Sequence, residues 1–363
     1  MPRLKILRIV KVLSVNIILV ALGILFLEII FGSWFNPNTL YRLNLTRDSF
    51  LYDASDLYPT SEMVVYKRDK YGLRGEYDSL SSIDILTLGG STTDQRYITE
   101  GETWQDILSK NFRSEGKSVY VVNAGVDGQS TYGHIKDFEW WFPNIPELKV
   151  KYFLFYVGLN DYYTSIEYDS ALKVDDLTLE RSPFKASIKE KSALYYLYRT
   201  LRGIYRANIV YQLGHYYVDP KGYKWTDMPR LQDHKTLMEK PLLAYEKRLR
   251  ILGEKVRSYN AIPIFVTSLS RRYKKDESRT IGVENTRQFL DKEINGVDSY
   301  YMMRLINLKT LEVCSQLDGI CIDLGSELQF EDEDFYDFYH TTPKGSEKIG
   351  NYLYQKLNEA VNN

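Results

Sequence analysis

Apolar runs of strand length alternate along this chain with segments whose apolar residues recur at helical spacing. The runs fall at 83–88, 118–122, 152–157, 262–266 and 320–324. The first, with Ile85-Leu86-Thr87-Leu88, has the composition of a strand buried on both faces. Between the runs, Trp104, Ile107, Leu108 and Phe112 mark one helix, and residues 132–141 allow a second. Leu242, Tyr245, Leu249, Leu252 and Val256 mark another, as do residues 301–317 and a final stretch through Ile349, Leu353 and Leu357. Such alternation predicts an α/β protein: three layers, α/β/α, around a central five-stranded parallel sheet.

Two stretches break the rhythm. Residues 162–235 hold Leu194, Leu197, Tyr198, Leu201, Ile204 and Tyr205 at helical spacing, with Tyr195, Tyr196, Tyr211, Tyr216, Tyr217 and Tyr223 around them. They read as a Tyr-rich, partly helical insertion emerging on the same side as the loops that follow the strands. It is either a lid over a site or a helical layer covering apolar surface. The second break is the N-terminus. Residues 1–11 carry Arg3, Lys5, Arg8 and Lys11 and no acid, and residues 12–34 are almost wholly apolar, long enough to span a bilayer. A cleavable signal peptide has a shorter apolar core followed by a small-residue cleavage site, and no such site follows here. The basic flank predicts a cytoplasmic tail (1–11), a single-pass anchor (12–34) and everything beyond it outside the cytoplasm. Trp34 and Phe35 suit the membrane interface, and Glu28, near the outer end, is expected to reach the headgroups. Residues 35–75 read as an irregular juxtamembrane segment with a short strand near Val64-Val65-Tyr66 and a turn at 71–75, and residues 76–363 as the α/β domain.

Composition narrows the classes. A net charge of −1 supplies no field that would favour nucleic acid. The 31 tyrosines point to aromatic-rich surface or half-buried packing. The two cysteines, Cys314 and Cys321, lack metal-ligand spacing; a disulfide and two separate buried thiols both fit. Of four histidines, His134, His215, His234 and His340, any histidine chemistry must use one.

In a parallel sheet the loops after every strand emerge at one edge, where such folds bind ligands. Ser91 follows the first run, Gly125 and Gly128 the second, Asn160 the third, and Asp337 with His340 the fifth. A serine hydroxyl becomes a nucleophile when a base takes its proton. His340 has the right ordinary range for that base, and Asp337, three residues earlier, can fix its tautomer. The Ser91 and Gly128 N–H groups and the Asn160 amide are candidate oxyanion donors. Each residue also has an ordinary role: a hydroxyl cap, a turn glycine, an Asn-Asp turn, a histidine at a helix start. Their ordered placement after four strands favours chemistry. Arg271 and Arg272, after the fourth run, either hold an anionic substrate or belong to a solvated loop.

These residues resemble the sequence blocks of the SGNH hydrolases, the GDSL esterases and lipases. Gly89-Gly90-Ser91-Thr92-Thr93 looks like the first block, with Gly90 where many members have Asp. Asn123-Ala124-Gly125-Val126-Asp127-Gly128 looks like the second, Gly158-Leu159-Asn160-Asp161 matches G-x-N-D, and Asp337-Phe338-Tyr339-His340 matches D-x-x-H. The resemblance covers about 76–165 and 240–360. It implies a flavodoxin-like SGNH architecture, a carboxylic ester substrate such as an acyl group on a cell-envelope glycan, catalytic Ser91, Asp337 and His340, and an oxyanion hole of Ser91, Gly128 and Asn160. It implies no metal or organic cofactor. An O-acyltransferase would need the same acyl-enzyme, and a non-catalytic glycan-binding protein could use the same fold.

Overall fold

The computed structural model describes residues 2–32, 34–35, 49–60, 62–161, 191–205, 215–276 and 279–362. The chain forms two compact units, Met1–Arg42 with Asp176–Gly214, and Leu43–Asp175 with His215–Asn363.

The larger unit is built on five parallel strands: β1 (Ile83–Gly89), β2 (Tyr120–Asn123), β3 (Tyr152–Tyr156), β4 (Ile262–Val266) and β5 (Ile320–Ile322). Their order across the sheet is β5-β4-β3-β1-β2. All seven residues of β1 are buried, as a strand covered on both faces requires. Alternate side chains serve the two faces. Ile85, Val121, Leu154, Ile264 and Ile322 form one core with Trp104, Leu108 and Phe112 of α2 and with Ile349, Leu353 and Leu357 of α6. On the other face, the Phe138 ring lies 4.9 Å from Phe153 and 6.4 Å from Phe155. The helices are α1 (Ser91–Asp94), α2 (Trp104–Ser114), α3 (Thr131–Lys136), α4 (His234–Ser258), α5 (Gly296–Gln316) and α6 (Pro343–Leu357). The pair α2 and α6 pack together, as do α4 with α3 and α5, which completes the expected α/β/α layers. Pro263 sits in an interior strand. Ile262 donates its N–H to Lys151 of the β3 side, so residue 263 faces β5, whose pairing begins only at Ile264.

Boundaries differ where caps decide them. Helix α5 starts at Gly296, ahead of the expected 301, because the Asn295 side chain accepts the N–H groups of Val297 and Asp298. The basic stretch after β4, expected either to hold an anionic substrate or to be a solvated loop, leads into strand Tyr273–Asp276. It pairs with Arg279–Val283, which also pairs with Trp225–Thr226. A hairpin joins Arg287–Phe289 to Lys292–Ile294, and another joins Ser49–Tyr52 to Val64–Lys67. Cys314 and Cys321 are disulfide-bonded with Cα atoms 5.8 Å apart, tying the end of α5 to β5.

In the smaller unit an N-terminal helix runs from Pro2 to Phe31, and its segment Val10–Phe31 is long and apolar enough to cross a membrane, with its side chains exposed. Glu28, near the end of that segment, is held by the protein. Its carboxylate accepts the N–H groups of Ala193 (2.9 Å) and Leu194 (3.2 Å), the Ser192 hydroxyl (2.7 Å) and the Trp34 indole (2.8 Å). It thus caps the helix Ala193–Tyr205, whose free N–H groups attract a carboxylate. The insertion is therefore not one piece: that helix groups with the N-terminal helix, while residues from His215 onward belong to the larger unit. The rest of the insertion, 162–190 and 206–214 with Tyr211, and residues 36–48 of the juxtamembrane segment lie outside the described residues.

Candidate active site

A sharp strand-to-helix turn delivers Ser91. Strand β1 ends at Gly89, and Ser91 opens α1 with Gly90 as its cap. A Cβ on Gly89 would lie 2.1 Å from the Thr93 hydroxyl and 2.6 Å from the Tyr156 carbonyl, so glycine alone permits the turn. The serine stands beyond the carboxyl end of a central strand, with β2 and β3 on either side.

Asp337 and His340 arrive on the loop after β5, closed by a Phe335–Thr341 bridge and a Tyr336 N–H to His340 carbonyl bond of 3.0 Å. His340 Nε2 is 2.7 Å from Ser91 Oγ, and its Nδ1 is 2.7 Å from Asp337 Oδ2. The other Asp337 oxygen accepts the N–H groups of Tyr339 and His340, both at 2.7 Å. Burial penalises the Asp337 charge, but the His340 ring bond, the His340 charge and these N–H donors outweigh it and hold the carboxyl below its ordinary value. An ionised Asp337 requires the proton on Nδ1, which leaves the Nε2 lone pair facing the serine hydroxyl.

The loops after β1, β2 and β3 meet at Asn160. Its amide donates to the Gln129 carbonyl at 2.8 Å, and a Cβ on Gly90 would stand 2.0 Å from that same nitrogen. Gly128, one residue before Gln129, has φ +75°, which suits glycine, and open space where a side chain would point. As the first residue of a helix, Ser91 has an N–H with no intrahelical acceptor. Asp161 holds the third loop from behind: buried, it accepts the Thr131 N–H at 3.1 Å and pairs with buried Arg248 at 3.4 Å.

Several residues of the site carry no signal in the sequence pattern. Arg68 and Arg74, from the segment expected to be irregular, are buried. Arg68 pairs with buried Asp94 at 2.7 Å and also bonds the Gly125 carbonyl, joining the Ser91 turn to the loop after β2. Arg74 bonds the carbonyls of Asp94, Gln95 and Ile98. Burial raises the cost of the Asp94 charge, yet Arg68, Arg96 and Arg74 keep its carboxyl below the ordinary value. Gln95 reaches from the end of α1 to the Thr341 hydroxyl at 3.1 Å, beside His340.

His215 is the other residue missed. Its ring stacks on His340 with centroids 4.2 Å apart, and its Nδ1 is 2.8 Å from the Tyr336 hydroxyl. Burial first, and the charge of His340 second, push its pKa down to about 4. The only available signal was the scarcity of histidines. His134 is buried beside Asp137 (3.2 Å) and His234 bonds Asp298 (2.9 Å).

Arg271 and Arg272 are engaged by the protein itself. The Arg271 guanidinium bonds the Phe330 carbonyl (3.3 Å) and the Asp332 carboxylate, and Arg272 bonds the Asn285 carbonyl (2.9 Å) and lies over the Phe338 ring. The Arg271 N–H donates to the Phe338 carbonyl at 2.7 Å, so this segment braces the loop that carries Asp337 and His340.

No family model and no curated protein matches the chain. Solved structures similar to it include the psychrotrophic esterase EstA from Pseudoalteromonas sp., at 13% identity and TM-score 0.38, covering 77% of this chain and 99% of that one. A variant of Axe2, an acetyl xylan esterase from Geobacillus stearothermophilus, aligns at 11% identity and TM-score 0.42 over 78% of this chain and 96% of its own. A protein described as a GDSL-like lipase from Parabacteroides merdae aligns at 13% identity and TM-score 0.41 over 76% and 96%.

Proposed function

We propose that this chain is a serine esterase of the SGNH kind. The observation that carries the reading is the continuous chain from Ser91 Oγ to His340 Nε2 and from His340 Nδ1 to Asp337, 2.7 Å at each step, at the carboxyl edge of the sheet. Ser91 Oγ attacks the ester carbonyl carbon and its proton passes to His340 Nε2. The oxyanion is held by the Ser91 and Gly128 N–H groups and the Asn160 amide. The C–O bond then breaks, and the alcohol leaves with the proton from His340. Water, deprotonated by the same nitrogen, attacks the acyl-enzyme and releases the acid. Asp337 stays ionised and orients the ring throughout.

Within this reading the ester is an acyl group on a cell-envelope glycan, and the enzyme works outside the cytoplasm, anchored by its N-terminal helix. Support comes from the apolar length of Val10–Phe31 after a basic start and from the Cys314–Cys321 disulfide, which belongs to an oxidising compartment.

Fluorophosphonate labelling of the full chain in detergent, with the modified residue located by mass spectrometry, tests the reading without a guessed substrate. The expected label is on Ser91 and disappears in His340→Ala. A folded protein that takes no label at Ser91 would overturn the proposal.

A further inference from the structure

Residues 269–271 and 273–275, after β4, line a cavity of about 790 Å³ together with Thr280, the outer side of α5 and residues 323–332. Neither Ser91, Asp337 nor His340 borders it. Its volume lies within the range of small-molecule sites, but its lining is not the mostly apolar one that acyl chains or drug-like ligands select. Hydroxyls of Ser270, Thr280 and Ser326, the amide of Gln329 and the rings of Tyr273 and Tyr300, 5.3 Å apart and edge to face, are spread around it.

The charges in the cavity are unequal in a telling way. Four cations, Arg271, Lys274, Lys275 and Arg304, line it against three acids, Asp323, Glu331 and Asp332. Asp332 is paired with Arg271, Asp323 accepts the hydroxyls of Thr267 and Ser326, and Glu331 accepts a backbone N–H of the following turn. Lys274 is set over the Trp225 ring at 4.6 Å. Lys275 and Arg304, both exposed, thus line a polar, roomy cavity without an ion pair among the described residues. Hydroxyl and amide groups match a polyhydroxylated ligand, tyrosine faces match the apolar face of a sugar ring, and these cations match carboxylate or phosphate groups along it.

We infer that this cavity binds an acidic oligosaccharide, at a place separate from the catalytic serine. The inference stands on the cavity and its charges and does not need the ester chemistry to be right.

The test is calorimetric titration of the full-length Ser91→Ala protein with tetragalacturonate, with maltotetraose as the neutral control and inorganic phosphate as the free anion. Expected are binding of the acidic oligomer that weakens with added salt, little binding of maltotetraose or phosphate alone, and a loss of roughly tenfold in affinity in Lys275→Ala/Arg304→Ala, as two charge-assisted contacts disappear. The melting temperature of the double variant, and its turnover of a small aryl acetate when Ser91 is present, should be unchanged. No binding of the acidic oligomer, equal binding of the neutral one, or an affinity untouched by the double substitution would each overturn the inference. A protein that binds but hydrolyses no ester sinks the esterase reading alone, and one that hydrolyses but does not bind sinks this one alone.

Discussion

The His215 ring lies over the His340 ring, centroids 4.2 Å apart and planes 23° from parallel. Two imidazoles this close cannot both carry charge cheaply, and burial with the His340 charge lowers the His215 pKa from 6.5 to about 4. The sign follows from proton binding. Between about pH 6.5 and about pH 4 the unfolded chain protonates this histidine and the folded one does not, so the stability present above 6.5 is lost as pH falls through the window. His215→Gln should therefore flatten the fall in melting temperature over that interval relative to the parent. Identical slopes for the two proteins would show that His215 titrates normally.

Gly90 and Asn160 set the next expectation. Because a Cβ at position 90 would stand 2.0 Å from Asn160 Nδ2, Gly90→Ala should push that amide off the Gln129 carbonyl and out of the oxyanion position. Losing one such donor costs about 10²–10³ in kcat. Gly90→Ala and Asn160→Ala should both fall in that range on a small ester, with the double variant little worse than either. Full activity in Gly90→Ala would mean that Asn160 does not hold the oxyanion.

Asp337→Asn keeps an oxygen for the two backbone N–H groups but removes the charge that places the proton on His340 Nδ1. Turnover should drop by about 10⁴ while the fold is retained, the size expected when the imidazole is held in the wrong tautomer. A loss below tenfold would leave Asp337 with a structural role only.

The layers were legible because β1 to β4 and the helices of the larger unit bury apolar residues with clear periodicity, and a parallel sheet collects its loops at one edge. Ser91, Asn160, Asp337 and His340 could be named for that reason. What stayed hidden depends on contacts between distant residues. Arg68 and Arg74 look like solvent-facing charges until the carbonyls and Asp94 around them are placed. The Tyr273–Asp276 strand is too polar to stand out from a loop, since its partner strand stabilises it more than its own apolar content. His215 sits in a Tyr-rich stretch with no period that would aim it at His340. Glu28 reads as a stray charge at the end of an apolar helix, and only the Ser192–Leu194 turn explains it.

The Cys314–Cys321 bond closes a short loop, with a separation of seven residues. The chain-entropy relation gives about 2–3 kcal/mol for a loop of that size. Cys321→Ser, or reductant on the parent, should lower the unfolding free energy by about that amount without changing turnover at low temperature. Alkylation of both thiols in unreduced, denatured protein isolated from the cell would show that the bond does not form there.

The buried pair of Arg68 and Asp94 gives the sharpest stability expectation. Arg68→Met approximates the volume of the stem but leaves the Asp94 carboxylate, 1% exposed, without its 2.7 Å partner; Arg96, at 3.7 Å, offsets only part of that. Stranding a buried charge in this way costs about 3–5 kcal/mol. Asp94→Asn alone strands the arginine instead, which still has the carbonyls of Gly72 and Gly125 and the Tyr66 hydroxyl to bond, so its cost should be smaller. The two changes made together should be less destabilising than the sum of the two made singly, because each removes the charge the other leaves unpaired. Denaturant unfolding of the four proteins measures that difference, and strict additivity would mean that the two side chains do not hold the Ser91 turn as a pair.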